Sequence, residues 1–369
     1  MKIVSTSYTN TKEFNDPQAW LQRIDFYTGI LEALSKYYEV ESIEQIHYSG
    51  LLQCKGVKYH FLNFEKSILY FPWQLHDYIK KLKPHIILVN GFIFPLQIIQ
   101  LRLKLGKTVK IIVINHAEKP ATGIRKFLQQ QADRVVDKYF FTAKEMGVAW
   151  VQCGIIADVD KIAEVMEASS VFGFTDMENA LSRTGATGEP VFLWVGRLDE
   201  NKDPCTVIKA FGAFLKQQPT AKLYMIYHTD ELLDEIKMLC KKGEALNNAV
   251  TMVGKVPHKE MGYWYNSADF IIAASHYEGS GVAVCEAMSC GCIPLLSNIP
   301  SFNKMTGYGK CGLLFEPGND GALLNILLQT LTTDIEKEKT KTLQQFKAEL
   351  SFEAIAKKIE RVIVSLEHN

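Results

Sequence analysis

One stretch, Asp269 to Leu296, constrains this chain more than any other. Asp269-Phe270-Ile271-Ile272-Ala273-Ala274 is a short apolar run. The loop His276-Tyr277-Glu278-Gly279-Ser280-Gly281 follows, then Val282-Ala283-Val284-Cys285-Glu286-Ala287-Met288. After Ser289, Cys290 and Gly291 a second apolar run begins, Cys292-Ile293-Pro294-Leu295-Leu296. The pattern predicts strand, glycine loop, short helix, strand. Gly279 and Gly281 allow the backbone to approach a ligand closely. The helix starting near Val282 then points its unpaired amides at that loop, which makes an anion site. Two carboxylates bracket it: Glu278 in the loop and Glu286 about one turn inside the helix. Taken locally, the same residues also fit a glycine-punctuated turn with solvent-facing glutamates.

The rest of the chain leaves room for such a site in a two-domain protein. Its 369 residues suffice for two ordinary α/β domains, and 47% hydrophobic with 22% charged residues is a globular balance. Lys plus Arg and Asp plus Glu both number 41, which argues against a nucleic-acid binder with a general basic face and leaves only local basic patches open. The eight cysteines follow no framework spacing, which predicts free thiols in a reducing compartment. Cys290-Gly291-Cys292 is too tight for a zinc half-site and reads as a helix cap opening a strand. Met1-Lys2-Ile3-Val4-Ser5-Thr6 reads as a first strand rather than a signal peptide. The apolar stretch Ile86 to Gln100 is interrupted by Asn90, Gly91 and Pro95 and is too short to span a bilayer. A cytoplasmic protein is expected, with peripheral contact at the inner membrane face left open.

Strands and helices alternate along the chain. Strands are predicted at residues 2–6, 40–46, 59–62, 84–91 and 109–116, and helices from Pro17, with Asp16 as N-cap, and over 95–105. Trp20, Ile24, Tyr27, Ile30, Leu31 and Leu34 share one helical stripe. This is the pattern of a doubly wound parallel sheet. Residues 165–188 turn small and polar and read as an interdomain linker. A buried strand, Val191 to Val195, restarts the pattern and leads to Gly196-Arg197-Leu198-Asp199-Glu200-Asn201-Lys202-Asp203-Pro204, with Asp203 and Pro204 opening a helix. Arg197 and Lys202 thus flank a strand end and a helix start, where two fixed cations would bind a diphosphate and offset its growing charge as it leaves. Trp264 and Tyr265, on a helix over 258–268, read as core.

Glu278 and Glu286, with seven residues between them, Gly-x-Gly inside and Ala-Met-x-x-Gly after, resemble the signature of retaining GT-B glycosyltransferases of family 4, the glycosyl transferases group 1 domain. Gly196-Arg197-Leu198, Gly254-Lys255-Val256, Ser297 to Pro300 and Gly312 to Asn319 follow that family in order. The resemblance is strong over 189–335 and weak before it. It implies two doubly wound Rossmann-like domains facing a central cleft: an acceptor-binding domain at 1–170, a nucleotide-sugar domain at 189–350, and a terminal helix in 351–369 packing back on the first. It implies transfer of a sugar from a nucleotide-diphosphate donor to an acceptor hydroxyl with retention, in glycan or glycoconjugate synthesis. Arg197 and Lys202 would contact the β-phosphate, with the amides near Gly281 and Val282. Glu278 would hold the sugar, Glu286 the ribose, and Lys255-Val256 the base, while Gly279 and Ser280 complete the loop. His116, ending the strand over 109–116, would lie near the donor sugar. The family's Gly-Gly loop after the first strand is missing here, where Tyr8 to Phe14 has no glycine.

No cofactor beyond the nucleotide-sugar co-substrate is expected, and no metal. Asp158-Val159-Asp160 resembles a metal-binding Asp-x-Asp, but Asp158 as N-cap of a helix running through Met166 explains it. A dinucleotide-dependent oxidoreductase would need Gly-x-Gly-x-x-Gly after a first strand, and neither half has it. A catalytically silent sugar-nucleotide-binding or scaffolding protein on the same fold stays open. Donor sugar, base, acceptor and oligomeric state carry no sequence signal.

Overall fold

The structure, a computed structural model, describes residues 1–64 and 70–367. The chain forms two compact units, Met1–Ser169 together with the segment from Phe352 onward, and Ser170–Ser351. Residues 368–369 of the expected terminal segment lie outside the described residues.

The first unit is built on β1 (Lys2–Ser7), β2 (Glu39–Gln45), β3 (Gly50–Cys54), β4 (Val57–Leu62), β5 (Ile86–Asn90), β6 (Lys110–Ile114), β7 (Lys138–Phe141) and β8 (Ile162–Glu164), in the sheet order β3-β4-β2-β1-β5-β6-β7-β8. β5 and β6 are nearly continuous apolar runs because helices cover both faces of a parallel sheet. β3 pairs antiparallel with β4 as an edge hairpin that the sequence pattern did not reveal. The expected single helix after Pro17 divides into Pro17–Arg23 and Asp25–Leu34. Ile24 serves both: its amide closes on Trp20 O at 3.1 Å, and its carbonyl accepts from Tyr27 and Thr28 at 3.0 Å. The terminal helix Phe352–Glu367 buries Ile355, Ala356, Ile359, Ile363 and Leu366 and packs on the helix Asp25–Leu34. Gly29 permits that approach, since a Cβ there would lie 2.4 Å from the Phe352 ring.

Asp158 caps its turn as expected, accepting from Asp160 N at 2.8 Å, but the helix does not run through Met166. A 3-10 turn over Val159–Lys161 hands over to β8, because pairing with β7 gives this backbone better partners at the sheet edge.

The second unit carries β9 (Val191–Val195), β10 (Lys222–Ile226), β11 (Val250–Gly254), β12 (Phe270–Ala273), β13 (Ile293–Ser297) and β14 (Leu313–Phe315) in the order β11-β10-β9-β12-β13-β14. Every pairing is parallel. This is the doubly wound Rossmann order, and it reverses between β9 and β12. Phe192 and Phe270 stack at 5.2 Å across that pair, with Phe211 and Phe214 edge-on to Phe192. The unit starts at Ser170 rather than at residue 189, and the expected linker contains a helix, Met177–Thr184. Its small polar residues act as caps and tethers: Asp176 accepts from Glu178 N, Gly185 closes the helix with φ 64, and Thr184 Oγ1 meets Ser267 Oγ at 2.9 Å. Among the described residues no helix is long and apolar enough to cross a membrane.

Candidate functional site

Ligands of open α/β sheets bind beyond the carboxyl ends of the strands where the order reverses. In the second unit that place is formed by the loops after β9 and β12. The two loops are tied twice: His276 N donates to Asn201 O at 2.8 Å, and the Asn201 side-chain Nδ2 donates to Tyr277 O at 3.0 Å. This lacing brings together Lys202 and Glu278, whose Nζ and Oε1 form an ion pair, with side chains only 22% and 12% exposed. Asp203 opens the next helix as N-cap from a left-handed φ of 42°, accepting from Thr206 N at Oδ1 and from Thr206 Oγ1 at Oδ2, and His276 Nε2 lies 3.3 Å from that same Oδ2. Arg197 stands apart from that pair. It is half exposed and leans on Asp199 Oδ2 at 3.0 Å.

Gly281 is the N-cap of the helix Val282–Ser289, with φ 57. A side chain here would be strained, and its Cβ would meet Phe302 Cε1 at 2.6 Å. Its carbonyl accepts from Val284 and Cys285, so the amides of Val282 and Ala283 belong to the first turn, where a helix supplies no partner. Gly279 and the buried Ser280 precede it in the loop. Glu286 is 5% exposed, and both its oxygens are held: Tyr265 OH donates to Oε2 at 2.7 Å, and His258 Nε2 meets Oε1 at 2.8 Å. Burial first, then the Glu286 carboxylate, push the Tyr265 hydroxyl well above its usual pKa, so it stays a donor. Tyr265 is core, as its spacing suggests, yet its polar tip fixes the carboxylate. A buried tyrosine hydroxyl needs a partner, and that was the available sequence signal. His258 carried none. Lys255 is exposed and Val256 half-buried in the turn after β11, where Gly254 has φ 81.

His116 belongs to the first unit and follows β6. Its Nδ1 pairs with Glu167, its Nε2 meets Asn90 Oδ1 at 3.1 Å, and its amide donates to Glu118 at 2.6 Å. Burial disfavours its charged form, but Glu167 and then Glu118 outweigh this and raise its pKa. Glu167, 51 positions away, gave no sequence signal. The glycine-free loop after β1 is anchored instead by Tyr8, whose hydroxyl meets His76 Nε2 at 2.9 Å, and by Asn10, which donates to Phe64 O at 2.6 Å.

Residues 176–349 match the family model described as Glycosyl transferases group 1. A stretch of 162 residues is 27% identical to GDP-mannose:cellobiosyl-diphosphopolyprenol alpha-mannosyltransferase of Xanthomonas oryzae pv. oryzae strain PXO99A, and the chain spans 42% of that relative's length and of its own. Sucrose-phosphate synthase from Thermosynechococcus elongatus shares the fold with TM-score 0.70 at 18% identity over 100% of both chains. Anabaena HepE in complex with UDP does so with TM-score 0.75 at 13% identity over 99% of this chain and 100% of that one. The fold is therefore GT-B, with two Rossmann-like domains.

Proposed function

Residues 176–349 match the glycosyl transferases group 1 family, and on that premise we propose that the chain is a retaining glycosyltransferase of that family. It moves a sugar from a nucleotide-diphosphate donor to an acceptor hydroxyl in glycan or glycoconjugate synthesis. The acceptor oxygen bonds to the anomeric carbon, the bond from that carbon to the diphosphate breaks, and the hydroxyl proton passes to the leaving phosphate. Lys202, Arg197 and the amides of the helix Val282–Ser289 offset charge that grows on the diphosphate. Glu278 holds sugar hydroxyls, Glu286 the ribose hydroxyls, and Lys255-Val256 the base. His116 acts on the sugar during transfer. Two cations and a helix N-terminus supply the charge a metal would otherwise supply, so the proposed reaction is metal-independent.

The observation that carries this reading is the Lys202–Glu278 pair, held by the two laced loops at the reversal of the second sheet. Relatives named for GDP-mannose and a neighbour solved with UDP support a nucleoside diphosphate donor without choosing its base. The test is nucleoside diphosphate release from a panel of UDP-, GDP-, ADP- and dTDP-sugars. Lys202→Ala should lower kcat by roughly 10²–10³, or about 2–4 kcal/mol, more than it weakens binding. A Lys202→Ala enzyme with near-normal kcat rejects the assignment. Tight donor binding with no release from any donor favours a silent binding protein.

A further inference from the structure

The first unit carries a half-open cavity of about 440 Å³ at the carboxyl ends of β1, β2 and β5, whose described lining residues all belong to that unit. That volume suits a small ligand. Trp20, Tyr27 and Phe94 give it flat apolar walls, and the first two rings are held in place. Trp20 Nε1 donates to Glu44 Oε2 at 2.9 Å, and Tyr27 OH meets Ser5 Oγ at 2.8 Å and accepts from Asn90 Nδ2 at 3.2 Å. Beside these walls stand two carboxylates, Glu44 and Glu118. Glu44 Oε1 takes Ser42 Oγ at 2.6 Å, and Glu118 takes the amides of His116 and Phe92. A carboxylate has about four acceptor positions, so both retain capacity for a ligand's hydroxyls. Thr6, another lining residue, has a buried hydroxyl with no protein partner.

Among the described lining residues there is no lysine or arginine. His116 is the lining group that can become cationic, and Glu167 already takes its Nδ1. An anionic ligand would meet carboxylates with no compensating charge, whereas a ring with an apolar face and several hydroxyls matches both walls and acceptors. We propose that this cavity takes the uncharged saccharide end of the acceptor and discriminates against phosphorylated acceptors. This rests on the glycosyltransferase reading above. Burial raises the pKa of Glu44 and Glu118, so the discrimination against anions is largest at high pH, where both are ionised, and shrinks as pH falls and either carboxyl takes up a proton.

Calorimetry on the full chain tests this with octyl glycosides of glucose, mannose, galactose and N-acetylglucosamine, each beside its phosphate ester. UDP and GDP form a separate arm. At least one neutral glycoside should bind roughly tenfold or more tighter than its ester, since like charges brought together are costly. Trp20→Leu should weaken that glycoside and leave UDP or GDP binding unchanged. Ser7→Arg, which places a cation at the cavity, should narrow or reverse the preference and covers the case of a misfolded Trp20→Leu. Esters binding as tightly as the neutral forms, no neutral glycoside binding, or binding indifferent to both variants overturns the inference. Failure in the nucleotide arm alone counts against the donor reading and leaves the cavity result standing.

Discussion

Gly281→Ala should damage stability and catalysis together, by an amount the structure allows to be worked out. At φ 57 an L side chain is strained by about 1–2 kcal/mol. The new Cβ would also sit 2.6 Å from Phe302 Cε1, and Phe302 is 1% exposed and cannot swing into solvent. Overpacking of that kind costs about 1–3 kcal/mol. Together the two effects destabilise the second unit by about 2–5 kcal/mol, or roughly 5–15 °C in Tm at this size. Gly254→Ala separates them. Its φ is 81 and nothing lies within 4 Å, so strain alone remains, about 1–2 kcal/mol. The displaced helix start should also lower kcat of Gly281→Ala by about 10²-fold. Differential scanning calorimetry and nucleoside diphosphate release measure both. Phe302→Leu should partly rescue Gly281→Ala, because the smaller side chain relieves the contact. A Gly281→Ala protein that melts no lower than Gly254→Ala, or a double variant as costly as the two singles summed, refutes the reasoning.

Glu286→Ala should weaken the sugar-free nucleoside diphosphate, and Tyr265→Phe should do so more mildly, by up to the about 1.5–3 kcal/mol of one hydrogen bond to a charged group. Glu278→Ala should spare that affinity and impair use of the sugar; equal losses in calorimetry mean the roles are wrongly divided. Burial pulls the pKa of His76 from 6.5 down to about 4. The unfolded chain therefore takes up this proton first as pH falls, and stability present above pH 6.5 is lost on the way to about 4. At about 1.4 kcal/mol per pH unit this amounts to roughly 3 kcal/mol, and His76→Gln should flatten that limb of a denaturant-midpoint curve against pH. Activity should survive excess EDTA, and Asp158→Asn should change stability alone; activity abolished by EDTA and restored by Mn²⁺ reopens the reaction class.

The sequence by itself determined what depends on short-range backbone chemistry. Asp16, Asp158 and Asp203 were readable as caps, Gly281 as the pivot of a loop into a helix, and the alternation of strands and helices as a doubly wound architecture. Glu278 and Glu286 were readable as a spaced pair because both lie on one local unit. The β3 edge hairpin and the early end of the turn at Lys161 were not, because pairing with β4 and β7 there outweighs local preference, and the break at Ile24 and the helix Met177–Thr184 lie in stretches whose apolar spacing does not mark them. Nor was the company each site residue keeps. Lys202 reaches Glu278 across 76 positions, Tyr265 reaches Glu286 across 21, and His116 reaches Glu167 across 51. Periodicity states which face of an element is buried. Which elements become neighbours is fixed by strand order and by crossovers: the second sheet, reversing between β9 and β12, brought Lys202 to Glu278 and Tyr265 to Glu286, and the first sheet brought His116 to Glu167.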